Sequence, residues 1–356
     1  MVIKEMRKLK IGYWPLSPNF NSAGDRRRLV FWAKSRGHSI VSDLSQNVDV
    51  IVASENSDFN SKYLTKTRVP IIFDLIDAYL SPLNSVDDIA RGLAKRISGQ
   101  ISGEFKPFSH HIRDFCILAN SVVCSSVEQE ELIKCYNSNT HVILDSHDEL
   151  PFVDPATRFS RSEGLRRILW EGQPATIRSV KIISVALENL SRDISFELDF
   201  VTDVKYFEFL NKFVKRDTLK LLERDLGHIA SLANIIPWSP DNLAKSAMSC
   251  NLAVIPLDIS VPTQRLKPEN RMLIMWRLGI PCLTSPSPAY VRVAQQSGVN
   301  SICENLDDWS AKINRLLNDS QFAKREILAG QNYLRDNHNQ DKLLKKWDLA
   351  FESVVG

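Results

Sequence analysis

The sequence predicts an α/β protein made of two Rossmann-like domains, each a parallel sheet covered by helices on both faces. Three observations carry this. The first half alternates short β-branched runs with helical stretches. The pattern breaks into polar, proline-containing sequence between Asp145 and Glu163, and the same rhythm then restarts. At 356 residues and 44% hydrophobic content, the chain is long enough to bury two cores.

In the first half, residues 9–14 read as a strand and 26–35 as a helix that stops at Gly37. Residues 39–41, 48–53 and 70–75 are further strands. Residues 121–126 form a strand ending in a capping box, in which Ser126 caps the next helix and Gln129 reaches back. Residues 140–144 close the sheet. After the break, 167–172 is a strand ending at Gly172, 179–190 an amphipathic helix and 195–202 a strand. A short strand at 235–238 leads into a helix at 241–249, and 252–257 is a buried strand. The stretch from Arg265 to Ser285 opens with a basic, proline-bounded cluster. It runs into a helix and turns at Leu278-Gly279-Ile280-Pro281. Residues 341–355 form the last helix, with Leu343, Trp347 and Phe351 among its packing residues. The expected domains are 1–155 and 156–338, followed by a terminal segment, 339–356.

A formal charge of +3 lacks the clustered basic excess of a nucleic-acid binder, so no nucleic-acid partner is expected. The run Arg26-Arg27-Arg28 reads by default as a solvated face. None of the six cysteines has CxxC spacing, and several lie in apolar runs, which fits buried free thiols in a reducing compartment. The polar first residues are not a secretory signal, and no apolar run approaches the ~18–20 residues that cross a bilayer. A cytoplasmic protein is expected, with peripheral contact at the inner face of a membrane left open. Neither half carries G-x-G-x-x-G after its first strand, which disfavours a dinucleotide dehydrogenase. Glu197 and Asp199 sit in a strand, and no metal site is assigned.

Open α/β sheets bind ligands beyond the carboxyl ends of their strands. There, Gly172 lets a phosphate approach the backbone. Arg178 follows six residues on, and Lys267 and Arg271 flank the start of a helix. Cations at a helix N-terminus are mildly unfavourable, by about 0.3–1 kcal/mol, whereas an anion is favoured there. A diphosphate answers both demands.

On these residues the chain resembles the GT-B glycosyltransferases, specifically the large retaining nucleotide-sugar family and its bacterial surface-polysaccharide branch. The likeness covers nearly the whole chain. It lies in a strand ending at Gly172 with Arg178 beyond it, in Lys267-Pro268-Glu269-Asn270-Arg271, and in a helix closing on Leu278-Gly279-Ile280-Pro281. The resemblance implies two domains facing each other across a cleft, with the last helix crossing back to the first domain. It also implies sugar transfer from a nucleotide-sugar co-substrate to a glycan or lipid-linked acceptor, without cofactor or metal. Donor contacts are then expected from Gly172, Arg178, Lys267, Glu269, Asn270 and Arg271, and catalytic roles from Asp77 and Asp25. Gly24, His110 and His111 are expected near the acceptor or sugar. Two departures stand out. Ile274 occupies the place of the family's ribose-binding Glu, so Glu269 or Asn270 is expected to replace it. Ile76-Asp77 stands where His-Asp is usual. A sugar-nucleotide epimerase of the same fold, and a non-catalytic module that has lost donor binding, share these residues.

Overall fold

The computed structural model describes residues 7–81, 85–156, 165–208 and 214–356. The first six residues, and residues 157–164 of the expected linker, lie outside them. The chain divides into two units. The first comprises Met1–Ser146, Leu266–Pro268 and Asn339–Gly356, and the second His147–Arg265 and Glu269–His338. The division thus comes before the expected one at 155/156. Residues 147–155 join the second unit because Arg277 Nε donates to Leu150 O at 2.7 Å and Val153 N donates to Arg277 O.

The first unit holds β1 (Lys10–Trp14), β2 (Ser39–Val41), β3 (Val50–Ser54), β4 (Ile71–Leu75), β5 (Ser121–Cys124) and β6 (Thr140–Val142). They form one parallel sheet in the order β2-β1-β3-β4-β5-β6. Its helices are α1 (Ala23–Arg26), α2 (Leu29–Arg36), α3 (Lys62–Thr65), α4 (Val86–Ile97), α5 (Phe108–Leu118) and α6 (Val127–Ile133). The single helix expected over 26–35 is broken, because Arg28 turns inward at φ −118°, ψ −109° between α1 and α2. Its fully buried guanidinium bonds Asp74 at 2.6 Å, Ile143 O at 2.6 Å and Asp145 at 3.3 Å. The last arginine of the run is therefore an internal anchor and not part of a solvated face.

Each face of this sheet has its own core, as the period-2 alternation of strand side chains requires. Ile51, Ala53, Phe73 and Leu75 meet Phe59, Phe108 and Phe115 on one side. Ile11, Tyr13, Val50 and Val52 meet Trp32 on the other.

α4 is built inside out. Its buried residues are Asp88, Gly92 and Lys95, while Val86, Ile89, Leu93 and Ile97 form an exposed stripe. Polar contacts hold it in place. Asp88 accepts Ser109 N at 2.7 Å and Ser109 Oγ at 2.5 Å, and Lys95 Nζ lies 4.4 Å above the Phe108 ring.

In the second unit, β7 (Arg166–Glu171), β8 (Phe196–Thr202), β11 (Ala233–Pro237), β12 (Leu252–Ile255) and β13 (Cys282–Thr284) form a parallel sheet in the order β11-β8-β7-β12-β13. β9 (Lys205–Glu208) and β10 (Val214–Asp217) make a separate antiparallel pair that the sequence did not announce. The expected helix at 179–190 is a 3-10 helix, Pro174–Ile183, continued by α7 (Ser184–Asp193). Further helices are α8 (Thr218–Leu226), α9 (Pro240–Ser249), α10 (Pro262–Arg265), α11 (Asn270–Arg277), α12 (Pro288–Ser297), α13 (Leu306–Asn318) and α14 (Ser320–Asn337). Gly279, at φ +67°, ends α11 as the Leu-Gly-x-Pro turn requires, with Ile280 N donating to Met275 O. The strand order reverses between β7 and β12, which opens a crevice at their carboxyl ends.

The last helix, α15 (Gln340–Val355), packs within the first unit. Trp347 and Phe351 stack on Trp32, with ring centroids at 6.2 and 4.0 Å, and Asp348 accepts Trp32 Nε1 at 2.8 Å. The apolar positions read from the sequence thus serve the first sheet. No helix among the described residues is long and apolar enough to cross a membrane.

Candidate functional site

At the carboxyl edge of the first sheet, the loop after β1 is organised by Asp25. This carboxylate has no exposed surface. Its Oδ1 accepts Tyr13 OH at 2.6 Å and Leu16 N at 2.8 Å, and its Oδ2 accepts Ser17 N at 2.9 Å and Ser17 Oγ at 2.7 Å. With both oxygens engaged by four donors, Asp25 holds the loop after β1. Gly24 beside it is a packing position. A Cβ there would fall 2.4 Å from Leu16 and 2.5 Å from Ile76.

Asp77, just beyond β4, is held on every side. Its Oδ1 accepts Lys267 Nζ at 2.7 Å and its Oδ2 accepts Tyr79 OH at 3.3 Å. Gln129 Nε2 donates to the carbonyls of Leu75 and Asp77, both at 3.0 Å. Ser126 caps α6 as expected, but the Gln129 side chain reaches Ser125 N and these carbonyls instead of returning to the cap. Glu55, at the end of β3, closes the arrangement by accepting Ile76 N and Asp77 N at 3.2 Å each.

Burial, then the Asp77 charge, pushes Glu55 up to about 7. Burial also works against the Asp77 carboxylate, but the Lys267 ammonium more than offsets it and holds Asp77 below the usual range. Lys95 is lowered to about 8 by burial, against the pull of Glu55. Sequence reasoning missed Glu55. The signal was an acidic residue directly after a fully buried strand. His110 and His111 are the third and fourth residues of α5, which begins at Phe108, whose ring meets Tyr79 at 5.0 Å. Among the described residues, neither imidazole bonds Asp77, Glu55 or Lys267. Burial lowers the His111 pKa.

At the carboxyl edge of the second sheet, Arg271 lies in the first turn of α11 and donates to Glu171 O at 3.1 Å and to the Tyr290 hydroxyl. Trp238 Nε1 donates to Glu171 Oε1 at 3.0 Å, so the residue before Gly172 gathers an aromatic ring and a cation. A Cβ on Gly172 would come within 3.0 Å of the Trp170 ring and 3.1 Å of Thr176 Oγ1. The start of α11 has no side-chain cap. Arg178 is largely exposed and lies 3.8 Å from Asp225, and among the described residues no contact joins it to Arg271.

Two residues near the expected ribose contact lie in the interior. Glu269 is 4% exposed, its carboxylate engaged by Arg292 at 3.4 Å, so it belongs to the protein interior and does not present an acceptor for a ribose. Ile274 is 2% exposed and packs in the core. Asn270, the first residue of α11, is the partly exposed neighbour of the pair.

Elsewhere on this edge, a cavity of about 310 Å³ lies among Leu257, Ser285, Asn305 and Trp309 at the ends of β12 and β13. Among the described residues, no group of three or more His, Cys, Asp or Glu is placed to hold a metal ion.

No protein family and no curated sequence matches the chain. Solved structures do. TarM aligns at 13% identity with a TM-score of 0.56 over 85% of this chain, which spans only 54% of TarM. Anabaena HepE, solved with UDP and glucose, aligns at 12% identity with a TM-score of 0.64, covering 97% of this chain and 99% of its own. A glycosyltransferase from Rickettsia africae aligns at 14% identity with a TM-score of 0.57, over 98% and 99%. At such identities the likeness speaks for architecture, and the architecture of this chain is the GT-B fold.

Proposed function

We propose that the protein is a glycosyltransferase that moves a sugar from a nucleotide-sugar donor to a glycan or lipid-linked acceptor. The observation that carries this reading is the edge of the second sheet. A side-chain-free backbone at Gly172, the uncapped start of α11 and the Arg271 guanidinium on the Glu171 carbonyl together suit a diphosphate. HepE, of the same fold, is described with UDP and glucose, which supports a nucleotide donor here.

In this reading Arg271 and the N–H groups of α11 stabilise the charge that develops on the leaving diphosphate, without a metal. Asn270 is the ribose candidate left once Glu269 is engaged by Arg292. Asp77, kept ionised by Lys267, orients the acceptor or the transferred sugar on the first unit. Arg178 contributes long-range charge only. Retention of configuration follows from the family resemblance, and a lipid-linked acceptor would bring the protein to a membrane surface.

The test is a thermal-shift and calorimetric screen of UDP-, GDP- and ADP-sugars. Binding to the native state raises apparent stability, by about 2.7 kcal/mol at a hundredfold excess over Kd. A cognate donor should raise Tm in the wild type and much less in Arg271→Ala. If no nucleotide sugar shifts Tm and none is hydrolysed or transferred, the reading is wrong.

A further inference from the structure

Glu55 carries no role in the reading above, yet it is the residue that fixes the backbone of Asp77. One oxygen, Oε2, receives both the Ile76 and the Asp77 N–H at 3.2 Å. Glu55 is 9% exposed. The charged and titratable groups facing it are Asp77 and Tyr79 from the loop after β4, Lys95 from α4, and Lys267. Lys95 Nζ reaches Glu55 through its backbone carbonyl, at 3.5 Å, and not through its carboxylate. Among the described residues, that carboxylate therefore has amide donors and no direct cationic partner. The two N–H groups and the more distant charges of Lys95 and Lys267 favour its ionisation, while burial and a second carboxylate nearby oppose it.

We propose that Glu55 is the positioning residue of the Asp77 loop: as a carboxylate it grips two consecutive amides and aims Asp77, and on protonation it loosens that grip. A carboxylate accepts more strongly than a carboxylic acid, because charge-assisted hydrogen bonds are about twice as strong as neutral ones. The loop carrying Asp77 is then set by pH within the range where burial and Asp77 have moved Glu55, near 7. Asp77 itself stays ionised across that range, since Lys267 holds it low. What changes is its placement and not its charge. This rests on the proposed role of Asp77 in transfer, but the grip can be tested without turnover.

The experiment is a pH titration of the backbone amides of Ile76 and Asp77 by NMR on the full chain. In the wild type, both amides should move together with a midpoint near 7. In Glu55→Gln, which keeps an oxygen but cannot ionise, that transition should vanish. In Asp77→Asn, which removes the opposing charge, the midpoint at residues 76 and 77 should fall below that of the wild type. Where a nucleotide sugar is turned over, the loss of rate as pH falls through about 7 should disappear in Glu55→Gln, through kcat more than through KM. A midpoint that survives in Glu55→Gln, or no transition in the wild type, overturns the proposal whether or not the protein proves to be a glycosyltransferase. Should Glu55→Gln not fold, the Asp77→Asn midpoint decides: unchanged from the wild type, it overturns the proposal.

Discussion

At the edge of the first sheet, Asp77 is engaged by Lys267 and Tyr79, and Glu55 by two amides. At the edge of the second, among the described residues, Arg271 rests only on a carbonyl and a phenol. One edge has Asp77 paired with a lysine and its loop already oriented. The other carries a cation that, among the described residues, forms no ion pair with a carboxylate, at a helix start where a positive group is itself disfavoured. In the proposed reading, the difference separates the two tasks of a transferase. A preset edge orients groups that react, and an unanswered cation recruits an anion from outside.

The largest expected effect tests whether the first edge depends on the last helix. Ending the chain after Asn339 removes Leu343, Leu344, Trp347 and Phe351, all buried in the first unit. Burying such side chains contributes about 1.5–3 kcal/mol each, and the sum rivals the whole stability of a domain. Proteolysis should then degrade the first unit rapidly. A truncated chain whose first unit resists protease as the wild type does would show that α15 is dispensable.

Next come Asp77→Asn and Arg271→Ala. Each should cut transfer at least tenfold with Tm nearly unchanged. Arg271→Ala should also weaken nucleotide binding by about 1.5–3 kcal/mol, the worth of a charge-assisted hydrogen bond, while Asp77→Asn should leave that binding intact. Equal losses of nucleotide affinity in both would erase the distinction between the edges.

Glu55→Gln gives a smaller effect, on stability. The folded-state pKa of Glu55 is raised above the ordinary 4.5, so the folded protein holds this proton more tightly. Its ionisation therefore costs stability progressively as pH rises from about 4.5 to about 7, and fully above that. The Tm gain of Glu55→Gln over the wild type should be larger near pH 8 than near pH 5. The reverse order would mean that the carboxylate is a net stabiliser. Arg178→Ala is the smallest case. As a largely exposed side chain 3.8 Å from Asp225, it should change donor affinity less than threefold.

How far the sequence reached depended on what kind of signal each feature leaves. Continuous β-branched runs, the Gly279 turn and the apolar side of α15 follow from local periodicity, and these appeared where expected. Arg28 was misread because a run of three arginines looks solvated, and its partners Asp74 and Asp145 are distant in sequence. Asp25 stands out in the sequence for its place after Gly24. Only the converging donors from Tyr13, Leu16 and Ser17 reveal its hold on the loop. Glu55 and Asp77 are 22 positions apart, joined through backbone amides that leave no side-chain pattern to read. Ile274, an anomaly against the family, is ordinary core.

The inverted α4 has a consequence for how this protein tolerates change. In most surface helices a substitution scan finds apolar letters fragile and polar letters free. Here the scan should run backwards. Val86, Ile89, Leu93 and Ile97 should accept serine or glutamine with little loss of stability, while leucine at Asp88 or Lys95 should be among the most damaging replacements in the unit. Asp88→Leu strands the buried Ser109 amide and hydroxyl, and Lys95→Leu removes the cation above Phe108. A substitution record of this chain, read without its structure, would therefore assign the helix the wrong face.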